Sequence, residues 1–226
     1  MIAKPLFNII PKNQIFRRYT VSHITRQRNN FSRRNIANTT TIRQYSSLPK
    51  TPDLIYIPRI FRWLKTKVQF KYLQRTWDPE FTEGAFIYGA SKAVCTVTAI
   101  IHEDRQEELD DLLTIPARLK LKHDMKTKLT RLQKSVIKIN PEDIKLFIPL
   151  NIKFQTQGLD KNCRIGMQLL ALKWHKTESG PTKLILVTVK TEFLRNYRKE
   201  TVPEWIINDF DILECVVLST SPNNIS

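Results

Sequence analysis

Acidic residues are missing from the first 52 positions of this 226-residue chain; the first is Asp53. Glycine is scarce, with five residues, and none belongs to a Gly-rich loop of the kind that wraps backbone N–H groups around phosphates. Three cysteines, Cys95, Cys163 and Cys215, are widely spaced. Without a CxxC pair, neither a zinc ribbon nor a dithiol redox motif is encoded. The histidines, His23, His102, His123 and His175, show no HxH or HExxH spacing. Ser91 in "GASKA" lies outside a GxSxG elbow, and Lys92 beside it has the wrong spacing for Ser-x-x-Lys chemistry. No window of 18 or more wholly apolar residues occurs, so the expectation is a chain that does not span a membrane by a helix. These absences point away from an enzyme: no catalytic residue, metal or cofactor is expected.

What is present begins with charge. Residues 1–50 hold ten Lys and Arg, leaving 27 for the rest of the chain against all 21 acids. Most of the net charge of +16 therefore sits in the tail. A secretory signal would need an unbroken apolar region of about 7–15 residues; Asn8 interrupts the Leu6–Ile10 run, and Pro11 and Lys12 follow it. A nucleic-acid-binding arm is a second reading, because basic tails neutralise phosphates without folding. A mitochondrial transit peptide, Arg-rich, hydroxyl-rich and acid-poor, fits best: Arg17, Arg18, Arg26, Arg28, Arg33, Arg34 and Arg43 lie among many Ser, Thr and Asn. A negative-inside potential draws such a segment inward at about 2.3 kcal/mol per charge per 100 mV.

The seam "TTTIRQYSSLPK", residues 39–50, sharpens this reading. "RQYSS" resembles the matrix-processing pattern with arginine three residues before the new N-terminus: Arg43 directs the cut, Tyr45 is trimmed and Ser46 is exposed. The expected organisation is a disordered transit peptide over 1–45, a linker over 46–53, one domain over 54–220 and a frayed tail over 221–226. The expected location is the mitochondrial matrix, peripheral to the inner membrane.

Residues 54–77, "LIYIPRIFRWLKTKVQFKYLQRTW", contain no acid. Ile57, Ile60, Phe61, Leu64, Val68 and Tyr72 share one face of a 3.6-residue period, while Trp63, Phe70 and Leu73 lie on the other side. Arg59, Arg62, Lys65, Lys67, Lys71 and Arg75 lie between. The pattern suits a helix that touches two apolar environments, with basic side chains snorkelling between them. Arg59, Arg62, Trp63, Lys65, Lys67, Lys71 and Arg75 are accordingly candidate contacts to an anionic lipid surface or a partner. A packing helix with a solvated basic flank is the plainer alternative.

The next segment reads as a helix opening at "WDPEF", with Asp78 as N-cap and Pro79 in the first turn. Phe86, Ala90, Ala93, Val97 and Ile101, with Val94 and Ile100, form its core stripe, and Gly89, Ala90 and Ala93 leave room for a close neighbour. An acidic cluster follows (Glu103, Asp104, Glu107, Glu108, Asp110, Asp111), read as a solvated helix end rather than a metal site. Pro116 restarts a basic helix carrying Leu119, Leu129 and Leu132. Its Lys120, Lys122, Lys126 and Arg131 form a second basic face, solvated or directed at acidic partners or phosphates.

After Asn140-Pro141 the period becomes two. Ile144, Leu146, Ile148, Leu150, Ile152 and Phe154 alternate with polar residues, and Pro149 predicts a bend or an edge position. Three further strands, "CRIGMQLLALKWHK", "TKLILVTVKTEFLR" and "EWIINDFDILECVVL", follow across turn-sized gaps. Strands joined without helices pair antiparallel. Helices followed by a meander give an α+β class, with N-terminal helices packed on a curved antiparallel sheet of about four long strands.

"FTEGAFIYGASKA" resembles the Phe-x-x-x-x-Phe-x-x-Gly-Ala-x-x-Ala helix of the matrix m-AAA protease-interacting protein family, through Phe81, Phe86, Gly89, Ala90 and Ala93. The basic-aromatic helix before it, "WDPEF" and "PEWIINDFDILE" are similar too, so the resemblance covers about residues 54–218. That family shares a superfamily with the C-terminal domain of the forty-four-kilodalton Tim translocase subunit and with a large-subunit mitoribosomal protein. The resemblance implies a nuclear-transport-factor-like cone enclosing an apolar pocket. It also implies a non-catalytic matrix adaptor or chaperone that associates with the m-AAA protease and assists sorting or maturation of an inner-membrane client such as the calcium uniporter regulator subunit. It assigns no partner-binding residues. The alternatives are a mitoribosomal large-subunit protein contacting rRNA and the inner membrane, the only reading with a nucleic-acid partner, and a small-molecule pocket enzyme of the same class.

Overall fold

The computed structural model describes residues 51, 52, 54, 56–158, 160–176, 181–198 and 204–220. The expected transit peptide, its processing residues Arg43, Tyr45 and Ser46, most of the 46–53 linker and the 221–226 tail lie outside the described residues.

Among the described residues four α-helices precede four strands: α1 (Ile60–Tyr72), α2 (Glu83–Glu103), α3 (Ile115–Thr127), α4 (Arg131–Val136), β1 (Ile144–Gln157), β2 (Asp160–His175), β3 (Lys183–Asn196) and β4 (Ile206–Thr220). The strands form one antiparallel sheet in the order β1-β2-β3-β4, so the chain is the α+β meander its periodicity predicts.

Local chemistry explains most boundaries. α1 runs into a π-helical turn, Leu73–Trp77, that ends at Asp78. α2 starts four residues later than expected for its cap: Thr82, not Asp78, is the N-cap, and its hydroxyl accepts from the Ala85 N–H at 3.2 Å. Glu83 in the first turn complements the helix dipole. Asp104 closes α2 in the left-handed conformation at φ 56°. Pro116 lies in the first turn of α3 as expected. The anticipated single basic helix is split, because Thr130 and Gln133 form a capping box that starts α4 afresh.

The core lies between α2 and the concave face of the sheet. Phe86, Ala90, Val94, Val97, Ile100 and Ile101 of α2 are buried in one cluster with Ile165, Met167 and Leu169 of β2 and Val187, Val189 and Phe193 of β3. The stripe read from the sequence is therefore the core stripe, and Phe86 meets Phe193 edge-on at 5.5 Å between ring centroids. Gly89 departs from expectation. It is exposed, and a Cβ built there would meet nothing within 4 Å, so it makes no close approach.

α2 is also the one described helix long and apolar enough to cross a bilayer by length and composition. Here that apolarity faces the sheet, while Tyr88, Gly89, Lys92 and Thr96 face outward. The enclosed apolar pocket that the family resemblance implies is not shown; side chains of α2 occupy the concave face, and grooves open at its margins.

β1 is an edge strand, as Pro149 predicts, but its alternation changes phase. Register shifts between Ile144 and Leu146 and between Pro149 and Asn151 bring Ile144, Phe147, Ile152 and Phe154 to the core. A bulge turns the side chains that follow it to the other face. The other edge, β4, is partly covered. The Ile207 N–H donates to the Leu112 carbonyl at 3.0 Å, and its carbonyl accepts from the Thr114 N–H at 2.9 Å.

Candidate functional site

α1 carries the strongest unexplained feature of the surface. Its residues advance by about 100° each, which puts Thr66, Phe70 and the following Leu73 on one side, and these three are buried. Phe70 stacks on Phe81 at 5.7 Å, and the Gln69 side-chain amide donates to the Ile152 carbonyl at 2.9 Å. Lys67 reaches Glu83 of α2 at 2.7 Å. The helix is thus fastened to both α2 and β1 by its inner face.

Directly opposite lies a ridge of Ile57, Ile60, Phe61, Leu64, Val68 and Tyr72, all exposed. Ile57 retains 85% of its accessible surface and Phe61 89%, which is more than isolated surface apolar residues explain. Both halves of the two-environment pattern exist, but only one has an occupant among the described residues. Tyr72 closes the ridge at its C-terminal end by meeting Phe154 edge-on at 5.1 Å.

The basic residues named from the sequence divide by environment. Lys67 is paired with Glu83, and Lys71 donates to the Gln74 side chain at 3.0 Å. Arg59, Arg62, Lys65 and Arg75 are exposed and make no ion pair among the described residues. Trp63 is half-exposed and, with Tyr56, Arg62, Phe147 and Pro149, lines a groove of about 380 Å³ between α1 and β1.

The second basic face is less coherent than its spacing suggests. Lys120 bridges Asp209 and Asp211 of β4, at 2.6 Å to each. Burial alone would lower the Lys120 pKa, but the two carboxylates outweigh it and raise it. Lys122 is half-buried, Lys126 is exposed, and Arg131 stands on α4 rather than α3. Leu121 and Met125 of α3 are buried, whereas Leu119 and Leu132 are exposed. α3 docks on β4 through this arrangement instead of presenting one cationic surface.

The acidic cluster is similarly dispersed. Glu103 pairs with Arg105 and Lys138, Glu108 with Arg105, and Asp110 with Arg118. Among the described residues no group of His, Cys, Asp and Glu is arranged to hold a metal. His102 Nδ1 lies 3.1 Å from the Lys134 carbonyl, apart from His123 and His175 in the sequence. The thiols are buried or half-buried. Burial, with Asp143 and Glu142 nearby, pushes Cys95 up to about 11; burial, partly offset by Arg195, pushes Cys163 up to about 12. Neither is an activated nucleophile.

One polar cluster had no sequence signal. Asp78, read as a helix cap, is buried and pairs with Arg195 of β3, whose guanidinium lies over the rings of Tyr197 and Trp205. Arg195, Tyr197 and Trp205 lie more than a hundred residues beyond Asp78 in the chain, so no local pattern could announce the cluster. Compared with family models and with curated proteins, the chain matches none.

Proposed function

We propose that the protein is a non-catalytic adaptor or chaperone of the mitochondrial matrix, peripheral to the inner membrane. It associates with the m-AAA protease and assists sorting or maturation of an inner-membrane client such as the calcium uniporter regulator subunit. The observation that carries the peripheral position is the ridge of α1: a rigidly held helix whose apolar crest has no partner among the described residues. The acid-free N-terminal segment supports the compartment, and the resemblance over about residues 54–218 supports the partners.

The reading assigns no catalytic residue and no cofactor. It is favoured over the ribosomal alternative because Lys120 of the second basic face is held by Asp209 and Asp211 rather than left for phosphates. Affinity purification of the tagged full chain from crosslinked mitochondria tests it. Recovery of protease subunits and an inner-membrane client is the expected result. Salt-sensitive comigration with the large ribosomal subunit, without those partners, would overturn it.

A further inference from the structure

The crest of α1 is apolar, its flanks are cationic, and it faces away from the body. We propose that α1 seats the folded domain on an anionic phospholipid bilayer, lying in the plane of the interface with Phe61 and its neighbours among the acyl chains and Lys65, Lys71 and Arg75 at the phosphate level. This rests on the adaptor reading for the compartment alone; the surface is defined by the residues themselves.

Geometry selects this mode of contact. Thirteen residues at about 1.5 Å each make a helix of about 20 Å, too short to cross a hydrocarbon core of about 30 Å. A helix lying flat needs only one apolar face and a polar body above it. Thr66, Phe70 and Leu73 hold the opposite side against the domain, so the crest points away from the helices and sheet described above. The Lys67–Glu83 pair and the Gln69 hydrogen bond to β1 fix the helix, so it meets a surface as one rigid ridge.

Charge selects the occupant. Residues 54–77 contain six basic side chains and no acid, so a second copy placed ridge to ridge would bring like charges together. Lys65 flanks the crest on one side and Lys71 on the other. Their long stems can run along the apolar crest while their ammonium groups reach a negatively charged plane on both sides. A planar boundary that is anionic at headgroup level and apolar just beneath offers both at once. A protein groove would need acidic walls on each side of an apolar floor.

Position-resolved quenching tests this with the full chain, since the basic N-terminal segment could bind vesicles by itself. A fluorophore is placed through Phe61→Cys, with Leu119→Cys on α3 as reference and labelled wild type as background. Vesicles contain doxyl-labelled lipid in phosphatidylcholine with about 30% phosphatidylglycerol, or in phosphatidylcholine alone. With anionic vesicles, quenching at position 61 should exceed that at position 119 at least threefold, and it should fall to background with neutral vesicles. Sedimentation with vesicles but equal or absent quenching at position 61 would overturn the proposal.

A second variant, Phe61→Asp/Leu64→Asp, replaces two exposed residues and should leave far-ultraviolet dichroism and the melting profile unchanged. With the fluorophore moved to the exposed crest residue Val68 through Val68→Cys, quenching by anionic vesicles should fall at least threefold in this variant; unchanged quenching sinks the idea. An acidic protein captured by a photo-crosslinker at position 61, with no lipid quenching there, would assign the ridge to a protein partner instead. Intact quenching without recovery of protease subunits would instead reject the adaptor reading and leave this one standing.

Discussion

Asp78 Oδ2 lies 2.8 Å from Arg195 Nη1 in a largely buried ion pair, and the Tyr197 hydroxyl donates to the same carboxylate oxygen at 3.2 Å. This contact ties the turn between α1 and α2 to the end of β3. The direction in which α1 presents its ridge therefore depends on a residue of the sheet. Removing one partner of a buried pair strands the other charge.

Asp78→Ala should lower the unfolding free energy by about 3 kcal/mol in urea titration. The double variant Asp78→Leu/Arg195→Met should recover most of that loss, because neither charge then remains buried alone. A single-variant cost below about 1 kcal/mol, in the range of exposed pairs, would remove the fastening role from this contact.

Stability should decline in alkali through the thiols. Burial raises Cys95 to about 11 and Cys163 to about 12, above the unfolded thiol value of about 8.5. A raised folded value contributes stability that is fully present below about pH 8.5 and is lost as pH rises towards the folded values. Chemical denaturation of wild type and Cys95→Ala/Cys163→Ala between pH 8 and 11 isolates the effect. Wild type should lose stability relative to the variant over that range, and parallel curves would refute the assignment.

Gly158 follows β1 with φ 59°, a conformation that costs a residue with a Cβ about 1–2 kcal/mol. Gly158→Val should destabilise by about that amount, whereas Gly158→Asn should cost less, since Asn tolerates the left-handed region. Nothing lies within 4 Å of a Cβ at this site, so backbone conformation rather than crowding sets the effect. Thermal melts that rank the two variants in the opposite order would contradict this.

Lys120→Ala should cost no more than about 1 kcal/mol, because the pair it forms with Asp209 and Asp211 is partly exposed. The loss should shrink in 1 M salt, where the screening length falls to about 3 Å. A salt-independent loss would show that the side chain acts through packing of α3 on β4.

Some of this architecture is legible without the fold. The change from helical to twofold periodicity at Asn140-Pro141 separates the helices from the meander, and the α2 stripe from Phe86 to Ile101 names the core face. Local rules fail where chain distance intervenes. Asp78 resembles an N-cap until Arg195 at the end of β3 and Tyr197 just beyond it arrive to claim it. Lys120 looks like part of a free cationic face until Asp209 and Asp211 of β4 meet it. β1 appears to alternate evenly until bulges turn Phe147 inward beside Ile152.

The order of elements, the antiparallel meander and the two-sided character of α1 follow from the sequence alone, because side-chain periodicity repeats the geometry of the backbone that carries it. Which side of α1 the body takes was decided only by tertiary packing. Both sides are apolar enough to be buried, and the aromatic contacts of Phe70 with Phe81 and Phe86 draw one of them inward. Phe61 and its neighbours are left outside because a helix lying against one layer of protein can bury only the face that meets it.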